Sequence, residues 1–216
     1  MSDYEIIDYA RWPRRELFEF FSHVSNPFYS VTFKLDVTRV YEYAKAKGLS
    51  FYYALTWLVT KAINSVEAFR YAVIDGKVVL LPERLPSFTD MKDGSEQFHI
   101  VTMPAGDDIG AFCIEAKRRS MAQTEFIVAS GEGPNLLYIS CLPWVELTSL
   151  TNERDFDPDD AIPRIAWGKY RDIDGRKELG LSLELNHRFA DGYHIGKFNE
   201  ALCALISRRL PRSDSL

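Results

Sequence analysis

Three cysteines, Cys113, Cys141 and Cys203, are too few and too scattered for a disulfide framework. None belongs to a Cys-x-x-Cys or joins a histidine pair, so no metal site is expected. Each sits among apolar neighbours, which predicts buried free thiols and a reducing compartment. No apolar run approaches the ~18 residues of a membrane span, and the opening MSDYEIIDYARWPRRE has no apolar signal core. A soluble, cytoplasmic protein is expected. A basic excess is also missing: the net charge of −5 argues against general binding to nucleic acid or to an anionic membrane, while leaving room for a local basic pocket. Nor is there a repeat, a linker or a low-complexity stretch. With 216 residues, 46% apolar and 26% charged, the chain fits one domain over 1–216.

What is present concentrates between Leu181 and Ile206. Leu181, Leu183 and Leu185 alternate with Ser182, Glu184 and Asn186, the period of a half-buried strand. After Asp191-Gly192 the spacing becomes Ile195, Phe198, Leu202, Leu205 and Ile206, a helical face, with Asp191 as N-cap. His187 lies four residues before that cap, so an imidazole and a carboxylate converge where a strand meets a helix. Asp-Gly occurs four times, at Asp75, Asp93, Asp174 and Asp191, and only the last follows a histidine by four residues. A capping turn after a satisfied histidine is the plain alternative.

Elsewhere the pattern is of strands and helices in irregular order. Tyr4–Ile7 reads as a strand, and Trp12-Pro13-Arg14-Arg15-Glu16 opens a helix to about Val24 with Leu17, Phe20, Phe21 and Val24 as its buried face. Arg14 opposes that helix's dipole, which calls for a carboxylate partner. Residues 29–35 alternate as a strand, Asp36 caps a helix closed by Gly48, and Ser50 begins a long apolar core helix. A hairpin about Asp75-Gly76 precedes strands at Leu85–Thr89 and Gln97–Met103, and Asp108–Ser120 is helical. Ser130–Pro134 reads as a loop, Leu136–Trp144 as a strand carrying Ser140, Asn152–Asp160 as an exposed acidic loop, and Ile162–Tyr170 as a strand. The architecture this implies is α+β, a mixed, mostly antiparallel sheet with packed helices.

Four separated segments together resemble the chloramphenicol acetyltransferase family along essentially the whole chain. Its His-x-x-x-Asp-Gly-hydrophobic-His is matched by His187, Asp191, Gly192, Tyr193 and His194, and its Trp-x-Arg-[Lys/Arg]-Glu by Trp12, Arg14, Arg15 and Glu16. Ser-x-x-Pro-Trp is matched by Ser140, Pro143 and Trp144, and Gly-Lys-Tyr by Gly168, Lys169 and Tyr170. The resemblance implies a two-layer sandwich that transfers acetyl from acetyl-coenzyme A to a hydroxyl, as the antibiotic-modifying members do, without a metal. It carries over His187 as general base, oriented by a hydrogen bond to a backbone carbonyl, and Ser140 as the donor to the oxyanion. Cys141 is then not needed as a nucleophile. Arg14 and Asp191 become a structural ion pair at the site, although Asp191 can alternatively bond His187. Lys169 and Tyr170 become coenzyme contacts, Phe21 and Tyr29 line the acceptor pocket, and the assembly is a homotrimer with sites between subunits.

Two positions and one stretch depart from that pattern. Asn186 stands where a second histidine is usual, and Ala166 where the antibiotic-modifying members have threonine. The stretch VELTSLTNERDFDPDD is more charged than the usual acceptor wall, so Glu146, Arg154 and Asp155 are expected to disfavour chloramphenicol relative to a more polar alcohol. The catalytic domain of dihydrolipoyl acyltransferases also has the His-Arg-x-x-Asp-Gly seen at His187–Gly192, but normally follows lipoyl and subunit-binding domains for which this chain has no room. A catalytically silent ligand-binding member is the other alternative.

Overall fold

A computed structural model describes residues 4–128 and 132–210. Ser130 and Gly131 of the expected loop therefore lie outside the described residues. The elements are β1 (Glu5–Ile6), α1 (Arg15–Ser22), β2 (Phe28–Asp36), α2 (Thr38–Lys47), α3 (Phe51–Asn64), β3 (Tyr71–Ile74), β4 (Lys77–Leu80), β5 (Leu85–Met91), β6 (Phe98–Thr102), α4 (Ile109–Ala122), β7 (Leu136–Leu142), β8 (Arg164–Gly168), β9 (Arg171–Ile173), β10 (Arg176–Asn186) and α5 (Gly192–Arg209). The main sheet runs β2-β10-β8-β7-β5-β6, with β9 on β10. Its pairings are antiparallel except β5–β7 and β7–β8, so the mixed, mostly antiparallel α+β expectation holds.

The long strand β10 organises this sheet because its side chains divide cleanly. Leu181, Leu183 and Leu185 are buried against the helical layer, where Trp57, Leu58, Phe198 and Leu202 complete the core. Ser182, Glu184 and Asn186 face the other way and are buried too. They lie beneath the irregular stretch after β7: Ser182 donates to the Leu150 carbonyl and Asn186 to those of Pro158 and Asp160. This stretch presses on the sheet most closely at Gly180, where a Cβ would come 1.9 Å from the Leu147 carbonyl oxygen. Only glycine permits that approach.

Local signals account for most element ends. Ser50 and Asp108 cap α3 and α4 through the amides of Tyr53 and Ala111. Gly48 ends α2 in the left-handed region (φ 63°). One expectation fails: α1 buries Phe18, while Leu17, Phe20 and Val24 are exposed and Phe21 is half-buried. Phe18 packs with Trp12, Tyr71, Val78 and Phe189 in a small second core between α1, the β1-β4-β3 sheet and the turn after β10. Periodicity found an apolar stripe on α1 but could not tell which of two apolar sides meets the core. The three cysteines are free, as expected, but only Cys113 is buried, while Cys141 is half-buried and Cys203 exposed.

Candidate active site

The turn from β10 into α5 is built around one arginine. Arg14, buried at the start of α1, donates from Nη2 to the His187 carbonyl (2.9 Å) and from Nε to the Arg188 carbonyl (2.9 Å), and its Nη1 lies 2.8 Å from Asp191 Oδ2. The expected Arg14–Asp191 pair is therefore present, and it clamps the backbone that carries His187. No hydrogen bond joins Asp191 to His187; its other oxygen receives the Tyr193 N–H (3.1 Å) and lies 2.9 Å from His194 Nδ1. Burial works to raise the Asp191 pKa, but the Arg14 hydrogen bond and charge, with His194 and the Tyr193 amide, outweigh it and hold the group below the usual value.

His187 begins at a fixed place because its N–H donates to the Pro27 carbonyl (2.8 Å), just past the end of β10. Its ring is held by aromatic contact. Phe21 stacks on it at 4.0 Å and 17°, and Tyr29 lies 4.5 Å away at 38°. Phe21 and Tyr29, which the resemblance assigned to the acceptor pocket, thus lie against the histidine ring. Neither ring nitrogen hydrogen-bonds any group among the described residues, so the expected bond to a backbone carbonyl is replaced by stacking. The Tyr29 hydroxyl donates to the Ala190 carbonyl (3.2 Å), and burial raises its pKa, so it stays protonated as a donor. Burial first, and the Arg14 charge second, push the His187 pKa below the ordinary 6.5, with Asp191 opposing. A neutral imidazole at pH 7 follows.

Ser140 stands elsewhere. Along the sheet it pairs with Ala166, which pairs with Ser182, and His187 lies five residues beyond Ser182. Two strand spacings across and five residues along put the two about 19 Å apart, whereas proton transfer needs about 3 Å. Ser140 Oγ is 3.3 Å from Thr89 Oγ1, and both open onto a cavity of about 770 Å³ whose walls also include Tyr53, Asp90, Trp144 and Glu153 but not His187. Thr89 was not legible beforehand, because its approach to Ser140 depends on the parallel β5–β7 pairing, which no local signal encodes. Neighbouring Cys141 has its thiol pushed up to about 12 by burial, so it holds little thiolate at neutral pH.

Lys169 and Tyr170 follow β8, about 10 Å beyond the level of Ser140 and on the side away from His187. The Lys169 side chain is exposed, and its N–H bonds the Val145 carbonyl (2.7 Å). Tyr170 lies between Phe51 and Tyr41, both at edge-on angles. Among the described residues no cluster of His, Cys, Asp and Glu could hold a metal ion, and no helix is long and apolar enough to cross a membrane.

The charged stretch after Trp144 requires a correction. The Arg154 side chain is buried, but its Nε donates to Glu184 Oε1 (2.8 Å), its Nη1 lies 3.2 Å from Asp160, and Arg164 shares that Asp160. Its guanidinium also covers the Phe28 ring at 3.6 Å. Glu146 pairs with Arg171 on the surface, and Asp155 is exposed. These charges are compensated or solvated, so they do not stand desolvated against a neutral aromatic acceptor. Asn186 is likewise absorbed by structure: Nδ2 donates to the Pro158 and Asp160 carbonyls and Oδ1 receives the Arg188 N–H.

Known proteins bear out the resemblance. The family described as "Chloramphenicol acetyltransferase" matches residues 2–203. Chloramphenicol acetyltransferase 3 of Escherichia coli is 29% identical, over 96% of this chain and 99% of that protein. A solved chloramphenicol acetyltransferase superposes with a TM-score of 0.85 at 28% identity, covering 93% of this chain and 98% of its own. A probable dihydrolipoamide acetyltransferase from Listeria monocytogenes shares the fold at a TM-score of 0.64 and 16% identity, covering 96% of this chain and 95% of that one.

Proposed function

Because this chain belongs to the chloramphenicol acetyltransferase family, we propose that it transfers the acetyl group of acetyl-coenzyme A to a hydroxyl of a small molecule, with chloramphenicol as the first acceptor to test. In this mechanism neutral His187 takes the proton of the acceptor hydroxyl as its oxygen attacks the thioester carbonyl. Negative charge gathers on the former carbonyl oxygen, and the Ser140 hydroxyl donates to it, which is typically worth about 2.7–4 kcal/mol. Collapse breaks the C–S bond, and the coenzyme A thiolate leaves with the proton that His187 took. Lys169 suits a phosphate of the coenzyme, and Tyr170 its adenine. No acyl-enzyme is involved.

The observation that carries this reading is the separation itself. In one copy His187 and Ser140 are about 19 Å apart, and each is rimmed by apolar surface that the chain leaves open. Phe20, 65% exposed, touches Phe21 beside His187, while Trp144, 70% exposed, and Phe98 and Phe126 surround the cavity at Ser140. Joining the His187 face of one copy to the Ser140 cavity of the next would cover both rims and complete the site. The three-fold closure is the family's. A head-to-tail interface closes into a ring when its rotation closes, as a three-fold does.

Subunit mixing tests it. His187→Ala and Ser140→Ala are each expected to lower turnover strongly, yet co-refolded in equal amounts they regain activity at roughly a quarter of the parental sites, since some interfaces pair an intact His187 with an intact Ser140. Absence of recovery in a mixed assembly, or an active monomer by light scattering, overturns the shared site.

A further inference from the structure

Asp191 is gripped from two sides, and the second grip has an ambiguity that chemistry resolves. His194 Nδ1 lies 2.9 Å from Asp191 Oδ1 and also 3.2 Å from the Asp191 backbone nitrogen. One ring nitrogen cannot serve both. Accepting the backbone N–H requires a bare Nδ1, whose lone pair would then face a carboxylate oxygen. Donating to Oδ1 requires the proton on Nδ1. The shorter contact is the one to the ionised group, and a charge-assisted hydrogen bond is about twice as strong as a neutral one. Nδ1 therefore carries the proton.

We propose that His194 is a positioning residue for the reaction: its Nδ1–H fixes the Asp191 carboxylate, Asp191 fixes the Arg14 guanidinium, and Arg14 fixes the His187 carbonyl. The contacts are continuous, 2.9, 2.8 and 2.9 Å in turn. The role rests on His187 being the base. The charged groups facing His194 are Asp191 at its own helix start, Arg14 from α1 and Lys197 one turn along α5, with the Tyr193 ring 5.6 Å away. Of these only Asp191 can accept its proton. The competing account is that His194 merely caps α5 by accepting the Asp191 N–H, as the third residue of a capping box does.

Three variants separate the two. His194→Asn places an amide nitrogen the same number of bonds from the backbone as Nδ1 and keeps the donor. His194→Glu keeps or improves the cap, since glutamate at this position accepts the N–H, but has no donor. His194→Phe keeps the ring shape and has neither. The positioning role is expected to leave His194→Asn within about threefold of the parent in kcat, and to lower kcat roughly 10- to 100-fold in Glu and Phe, with KM for both substrates little changed. In His194→Phe the acid limb of the pH profile also moves to higher pH, because the Asp191 charge that favours protonated His187 is less well compensated. Thermal midpoints report folding separately.

Histidine side-chain nitrogen NMR on the parent protein gives an answer that needs no turnover. At pH 7.5 a protonated Nδ1 on His194 supports the proposal, and a bare Nδ1 overturns it. So does His194→Phe with parental kcat and an unmoved acid limb. Failure of the base assignment shows elsewhere, as undiminished turnover in His187→Gln; it removes the catalytic role but leaves the tautomer result standing.

Discussion

Phe21 and His187 lie face to face, their ring centroids 4.0 Å apart and their planes 17° from parallel. Phe21 comes from a helix of only eight residues, the histidine from a turn at the other end of the chain. The stack supplies what a hydrogen bond to the imidazole would otherwise supply, a preferred ring plane, and it removes water from one face of the ring.

Phe21→Ala is expected to release both effects. The His187 pKa rises toward the ordinary 6.5 as solvent returns, so the acid limb of kcat/KM shifts up. Turnover at pH 7.5 falls roughly tenfold because the ring is no longer held. A pH–rate profile checks both together; an unmoved limb would mean that the stack contributes nothing to desolvation.

The pH dependence of the parent enzyme follows from the same group. As the proposed base, His187 has to be neutral, and its pKa is lowered, so activity is expected to persist at neutral pH and to be lost as pH falls through a midpoint below 6.5. His194 is also lowered, by burial first and with Asp191 opposing. For both, the unfolded chain binds a proton more readily than the folded one. Stability is therefore fully present above the unfolded value of about 6.5 and declines as pH falls through the folded values. Thermal midpoints at pH 7.5 and 5.5 should fall in that order, and less so in a His187→Gln, His194→Asn double variant.

Arg14→Lys keeps the charge but loses the fork that reaches two carbonyls and a carboxylate at once. Removing most of this grip is expected to cost about 2–3 kcal/mol, less than for a fully buried pair because Asp191 keeps 29% of its side-chain surface. Turnover falls further than stability alone explains, since the His187 carbonyl loses its donor. Urea unfolding beside steady-state kinetics checks the two separately.

Gly180→Ala should be the most damaging single methyl in the sheet. Its Cβ would meet the Leu147 carbonyl oxygen at 1.9 Å, and backbone cannot rotate away as a side chain can. A loss of about 3 kcal/mol or more is expected, read as a lower denaturation midpoint.

Much of this was legible in the residues, and the failures have physical causes. Caps and turns are local chemistry: Ser50 and Asp108 announce their helices, and Asp75-Gly76 takes the positive φ values of a tight hairpin, 51° and 71°. Arg14 posed a local question, a cation at the wrong end of a helix, which Asp191 answers. What remained hidden was set by contacts distant in sequence. Leu17 and Phe20 look like core residues but are exposed, and Arg154 looks like a charge on a pocket wall but is matched by Glu184 and Asp160 on the back of the sheet. The pairing that brings Thr89 to Ser140 belongs to the same class.

The clamp on His187 spans 173 positions of the chain, from an arginine at the start of α1 to a carbonyl just past β10. A chain emerging during synthesis holds its arginine long before there is anything for it to grip. The grip on the His187 carbonyl is thus a contact of the long-range kind that slows folding. A chain that stops short of the turn after β10 has the arginine but neither the carbonyl it grips nor the imidazole, so acetyl transfer through the proposed base would report a chain folded through that turn rather than a fragment.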